Sequence, residues 1–302
     1  MKKLKYLVMA AIAAVVFACG TTRTVPITGR KQNILVSDEQ VLSLSNQEYT
    51  NYMKSAKLST NSANTAMVKR VGQRLATAVE TYLNEHAMAA DAKEYSWEFN
   101  LVQDKSVNAF CMPGGKIVVY EGLLPITQDE ASLAIVLGHE IAHAVAKHSA
   151  EQMSKQIKNQ YGTQILGQVL NAAGVSSSTT QLAQIIAQKG LQFRSLKYSR
   201  DNESEADHMG LIFAAMAGYD PNVAVTFWQR MAQATGSNNQ SDIFSDPPSD
   251  AKRIAAIKQE LPEALTYYKP VKTTTTTKKT TTSTKKKTRT TSKKKKTTTR
   301  RK

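Results

Sequence analysis

Apolar positions recur with a helical period along two early stretches of the chain. Between Thr65 and Asn84, Met67, Val71, Leu75, Ala78 and Tyr82 trace one face, the spacing of an amphipathic helix; Asp38 to Lys54 reads the same way. The period then shortens. Trp97, Phe99 and Leu101 alternate with Glu98 and Asn100, which predicts a strand with one buried face. Pro113-Gly114-Gly115 turns the chain into a second strand over Lys116 to Tyr120. Ala131 to Leu137 is almost wholly apolar, and Thr127 to Glu130 has capping-box spacing, so a buried helix is expected there. Residues 151–197, rich in Gln, Ala, Ile and Leu with a break at Gly174 to Ser178, read as a helical hairpin. The sum is an α+β fold, mainly helical, with a small sheet.

Both ends depart from this pattern. Lys2, Lys3 and Lys5 precede an apolar run from Leu7 to Phe17, and Val16-Phe17-Ala18-Cys19-Gly20 follows. These features read as a bacterial lipoprotein signal over residues 1–18, with Cys19 as the lipidated residue and residues 19–28 as a linker. The apolar run is too short to span a bilayer comfortably. The expected location is the bacterial cell envelope, lipid-anchored to a membrane, with the periplasmic face of the outer membrane as the default.

Charge singles out the other end. Of the formal net charge of +16, residues 272–302 hold 14 Lys and Arg and no acid, which leaves +2 for residues 1–271. Residues 269–302 are thus a Thr/Lys-rich tail that cannot bury apolar surface and is expected to be disordered. It reads first as a solvated tail with no specific partner and second as a tether to anionic surfaces; nucleic acid is not the expected partner of an exported chain. Residues 29–268 remain as one domain, large enough for a single core. Cys19 apart, Cys111 is the only cysteine, so no disulfide framework is expected, and Cys111 reads as a small buried residue.

The chemistry sits in the apolar helix. His139-Glu140-Ile141-Ala142-His143 places two imidazoles four residues apart, on one helical face, with Glu140 at the edge of that face. Two such histidines can hold one zinc ion, and the glutamate can take a proton from a water on it. A third histidine at the metzincin spacing is missing, since Ala146 and Ser149 stand at those positions. A carboxylate from a second helix is the alternative, and Glu203 is the expected third ligand. Asp207, four residues on, is placed to accept the outer N–H of a ligating histidine. Glu205 points elsewhere in this reading, and His86 and His148 are ordinary structural or surface histidines. Tyr198 or His208 could assist at the oxyanion, and Arg200 could bind Asp207 or tie the helices together.

Gly138 to His143, Lys147 to Glu151, Tyr198-Ser199-Arg200, Glu203-x-x-x-Asp207, Gly218 to Pro221, the run Val107 to Ile117 and the opening Gly29 to Gln32 together resemble one family. It is the zinc metallopeptidase family that includes HtpX, the CAAX prenyl protease and the envelope quality-control peptidases of the BepA type. The similarity covers most of Gly29 to Leu261, and the BepA type without its tetratricopeptide extension looks nearest. The resemblance implies a gluzincin domain with the sheet beside the zinc cleft and one Zn2+ per chain. His139, His143 and Glu203 would be the ligands, Glu140 the base and Asp207 a support. Asn108, Ala109 and Phe110 would form an edge strand that receives extended substrate by β-augmentation. The substrates implied are unfolded or misassembled envelope proteins, and residues 151–197 would act as a flap. One departure stands out: aligned on Arg253-Ile254, Pro247-Pro248 replaces a His-Pro pair whose histidine approaches the metal, so either Asp246 takes that place or, the favoured reading, the site is more open, with a purely structural Asp-Pro-Pro corner as the plain alternative. The competing readings are a non-hydrolytic zinc-containing holdase and a tail-driven binder of anionic polymers.

Overall fold

The computed structural model describes residues 21–156, 158, 193, 196–235 and 250–270. The expected signal segment with Cys19, most of residues 151–197, the Asp246-Pro247-Pro248 corner and nearly all of the basic tail lie outside them. Strands β1 (Thr21–Thr24) and β2 (Lys31–Ile34) form an antiparallel hairpin, so the residues expected as a linker are paired backbone instead. Threonine-rich β1 offers no apolar alternation by which sequence could mark it as a strand.

Helix α1 (Asp38–Ser55) starts at Ser37, whose side chain and that of Gln40 form a reciprocal capping box. Helix α2 (Ser62–Glu85) buries Val68, Val71, Leu75, Val79 and Leu83, the expected stripe displaced by a residue from its predicted edge. After a short helix α3 (Ala89–Ala92), strands β3 (Glu98–Val102), β4 (Ala109–Met112) and β5 (Lys116–Tyr120) build a sheet in the order β3-β5-β4. β5 is central and has its first four residues buried; it runs parallel to β3 and antiparallel to β4. β4 is therefore an edge.

A 3-10 turn (Glu121–Leu123) and short helix α4 (Leu124–Thr127) lead to helix α5 (Glu130–Val145). Its cap is Asp129, which accepts from Ser132 N. Thr127, expected as the cap, instead ends α4, and Gln128 turns the chain with φ 66°. Helices α6 (Arg200–Met216), α7 (Val223–Thr235) and α8 (Asp250–Thr266) complete the described elements. The fold is α+β and mainly helical.

Every residue of α5 from Ser132 to Val145 is buried, as expected for a helix apolar on all sides. It crosses α6 backbone to backbone. A Cβ on Gly138 would stand 2.6 Å from Gly210 O, and one on Gly210 would stand 2.7 Å from His139 N. Only glycine at both positions permits this approach, and the crossing lies beside His139.

Candidate metal centre

The α5–α6 crossing brings His139, His143 and Glu203 together. The two histidine Nε2 atoms are 3.0 Å apart, and the Glu203 carboxylate oxygens lie 3.5 Å from each. Tetrahedral zinc with bonds near 2.0–2.1 Å sets its donors about 3.3 Å apart, so the triangle has the size the ion needs. Glu203 Oε2 is buried without a hydrogen-bond partner, a costly condition that a cation relieves. The donor chemistry and the orphaned oxygen both fit zinc. A second acidic cluster, Asp38, Asp91 and Glu94, surrounds the Lys147 ammonium and the Arg23 guanidinium, so two of its three charges are already matched.

Each histidine is held from behind. His139 Nδ1 lies 2.9 Å from Asp207 Oδ1, and Arg253 donates to the same oxygen at 2.6 Å. Burial would raise the Asp207 carboxyl, but Arg253 and then His139 outweigh it and hold it below its ordinary range. Arg253 lies over the Trp228 ring, 3.6 Å from its centroid. Arg200, the sequence-based candidate for this contact, is exposed at the start of α6. The Arg253-Ile254 pair marks Arg253 in the sequence but not its partner: it comes from α8 and meets Asp207 only through tertiary packing.

His143 is tied to His148, with the two Nδ1 atoms 2.9 Å apart. His148 is wholly buried, and its Nε2 lies 2.9 Å from Glu205 Oε2. Neither is the bystander the sequence suggested. Lys147, at φ 53°, breaks α5 and starts a second helical stretch over residues 148–156, which returns His148 toward His143. Tyr198 stacks on His143 at 4.1 Å between centroids, while its hydroxyl pairs with Ser149 at 2.8 Å. His208 faces Glu260 and Glu263 at 4.0 and 3.6 Å, away from the donors.

Glu140 is buried one position along α5. Burial pushes its carboxyl up to about 7; His139 opposes this, Glu203 adds to it, and a hydrogen bond from the Cys111 backbone N–H opposes it again. Glu140 and the edge strand are thereby joined. Tyr120 N donates to Asn108 O, so the backbone groups of Asn108 and, by alternation, Phe110 face β5. Of the three residues expected to receive substrate, Ala109 alone turns its backbone away from β5, with Cys111 beyond it, and both residues are buried. Cys111 is buried and free, as expected.

The sequence model of Peptidase family M48 matches residues 69–261. The mitochondrial metalloendopeptidase OMA1 of Schizosaccharomyces pombe is 40% identical over 172 residues, 57% of this chain and 48% of that protein. Human metalloendopeptidase OMA1, mitochondrial, is 30% identical over 244 residues, 80% and 46% of the two chains. The beta-barrel assembly-enhancing protease of Escherichia coli O157:H7 is 28% identical over 186 residues, 58% and 37%. The chain spans half or less of the length of these relatives. The order of similarity corrects two expectations: the mitochondrial enzymes match more strongly than the barrel-assembly type, and the bacterial envelope location is overturned with it. With the family match covering the whole span from α2 to α8, the chain belongs to peptidase family M48, a family of zinc metallopeptidases.

Proposed function

We propose that the chain is a zinc metalloendopeptidase that cleaves extended segments of misfolded or unassembled proteins. In this reading His139, His143 and Glu203 hold the metal, Asp207 positions His139, and Glu140 is the base. The observation that carries it is the donor triangle of His139, His143 and Glu203, with the buried Glu140 next to His139 on α5. Zinc, when bound, acidifies the attacking water and polarises the scissile carbonyl. Glu140, with a pKa near neutrality, accepts the water's proton and returns it to the leaving amine. Strand β4 aligns the substrate backbone through Ala109, and backbone pairing reads little sequence, which supports a broad range of unfolded substrates.

Hydrolysis of casein by the full chain, beside Glu140→Gln of equal zinc content, tests this. Cleavage by the parent alone is expected, with a loss of about 10²–10⁴-fold in the variant. Equal cleavage by both would sink the role of Glu140, and zinc binding without cleavage by either would favour the holdase. Contact of the basic tail with anionic surfaces belongs to the same proposal. Removal of residues 272–302 should weaken binding to anionic vesicles; unchanged binding removes that part.

A further inference from the structure

His143 turns Nε2 toward the donor triangle, so its ring hydrogen belongs on Nδ1, which points at Nδ1 of His148, 2.9 Å away. An imidazole that accepts at Nδ1 carries its own hydrogen on Nε2, and that atom of His148 meets Glu205 Oε2 at 2.9 Å. Each link dictates the next. The direction is set by Glu205, which as a carboxylate only accepts. Glu205 is in turn gripped from the loop between β1 and β2: the Thr28 hydroxyl donates to Oε1, and Arg30 Nε donates to Oε2 at 2.8 Å. The rest of the Arg30 guanidinium forks onto Glu151 at 2.9 and 3.1 Å. His148 is 0% exposed and Glu205 7%, so water does not substitute freely for these partners.

We propose that Arg30, Glu205 and His148 are positioning residues forming a tautomer lock, a one-way hydrogen-bond chain that keeps Nε2 of His143 free of hydrogen for the metal; this rests on His143 being a zinc ligand. The alternative tautomer shows what the chain prevents. A His148 ring with its hydrogen on Nδ1 would donate to His143 Nδ1 and drive the hydrogen of His143 onto Nε2, closing that nitrogen to zinc. The carboxylate of Glu205 rejects this arrangement because it would then face a bare Nε2 lone pair. Thr28 and Arg30 precede residues 69–261, the span matched by the family model. The N-terminal loop is thus part of the metal centre's support.

The test uses the full chain and three readouts: zinc affinity by competition with a chromophoric chelator, the visible spectrum of the Co2+ form, and thermal melting of the metal-free protein. His148→Phe, which keeps a ring and loses both hydrogen bonds, should weaken zinc about 10- to 100-fold, the usual cost of losing a ligand's outer partner. His148→Gln, whose amide can accept from His143 and donate to Glu205, should recover most of that loss and the parental Co2+ spectrum. Arg30→Ala should weaken zinc in the same direction, and should add nothing in the His148→Phe background because both act through one chain. Zinc affinity within twofold of the parent in folded His148→Phe or Arg30→Ala, or fully additive effects, would overturn the lock. Should His148→Phe fail to fold, Arg30→Ala and His148→Gln still decide the matter, the lock requiring weakened zinc in the first and near-parental zinc in the second. A parent that binds no zinc would remove the metal-centre reading itself, and the lock with it.

Discussion

Gly138 and Gly210 meet backbone to backbone, so closely that a Cβ on the first would stand 2.6 Å from the carbonyl oxygen of the second. Both contacts involve main chain, which cannot swing aside as a side chain does. The crossing sets the distance from α5, which carries His139 and His143, to α6, which carries Glu203 and Asp207. Gly138→Ala or Gly210→Ala should therefore push the helices apart, with an overpacking cost of about 1–3 kcal/mol. Zinc affinity should fall with stability. Melting of the metal-free form and zinc titration check this, and an alanine variant that keeps parental zinc affinity would show that the crossing does not set the ligand geometry.

Arg253 and Asp207 make the buried ion pair behind His139, at 2.6 Å. Removing one partner leaves a buried charge uncompensated, which costs about 3–5 kcal/mol. Arg253→Met should accordingly destabilise the fold and raise the Asp207 carboxyl. Asp207→Asn keeps the shape but leaves the buried Arg253 guanidinium without its carboxylate, and should destabilise the fold as well while weakening zinc about 10- to 100-fold. Equilibrium unfolding and zinc competition separate the two; equal effects of both variants on both measurements would mean that the pair acts only as packing.

Much of this site is legible in the sequence because helical periodicity puts its parts in register. His139 and His143 share a face at i and i+4, as do Glu203 and Asp207, and those four residues need only one helix crossing to meet. What is not legible depends on the third dimension or on a backbone irregularity. Arg253 reaches Asp207 from a helix separated by many residues. His148 reads as a residue on the far turn of the zinc helix until Lys147, at φ 53°, breaks that helix and brings it back. Glu205, on the same short acidic run as Glu203, looks dispensable because its partners, Thr28 and Arg30, come from a hairpin whose polar strands carry no hydrophobic signal.

Arg30 also gives the fold an acid limit. Burial would raise Glu205 and Glu151, yet the hydrogen bonds outweigh it, from His148, Arg30 and Thr28 for the first and from Arg30 and Lys155 for the second, and hold both at about 2. A carboxyl whose folded pKa lies below its unfolded value of about 4.3 stabilises the fold above that value and loses the contribution as pH falls through the folded pKa. Stability of the metal-free protein should thus decline between about pH 4 and pH 2. Arg30→Met should flatten that limb and lower the plateau above it. Melting temperatures measured from pH 7 to pH 2 check the sign, and an unaltered acid limb in Arg30→Met would show that other carboxyls set it.

The side of β4 that faces away from β5 supplies a prediction that separates substrate pairing from metal chemistry. Asn108 and Phe110 direct their backbone groups into the sheet, whereas Ala109 and Cys111 direct theirs outward, and the Cys111 N–H already serves Glu140. A proline is tolerated in a sheet only where its missing N–H faces outward. Ala109→Pro should leave the β4–β5 ladder and the zinc content intact while removing one donor from the edge that an extended substrate would meet. A single backbone hydrogen bond contributes about 0.5–1.5 kcal/mol, so kcat/KM for an unfolded substrate should fall about 2- to 13-fold, mostly through KM. Phe110→Pro is the contrasting variant: it removes a donor that faces β5 and should lower stability as well. Unchanged kinetics in folded, zinc-loaded Ala109→Pro would mean that substrate does not pair with this edge, and would leave the Glu140 chemistry standing without it.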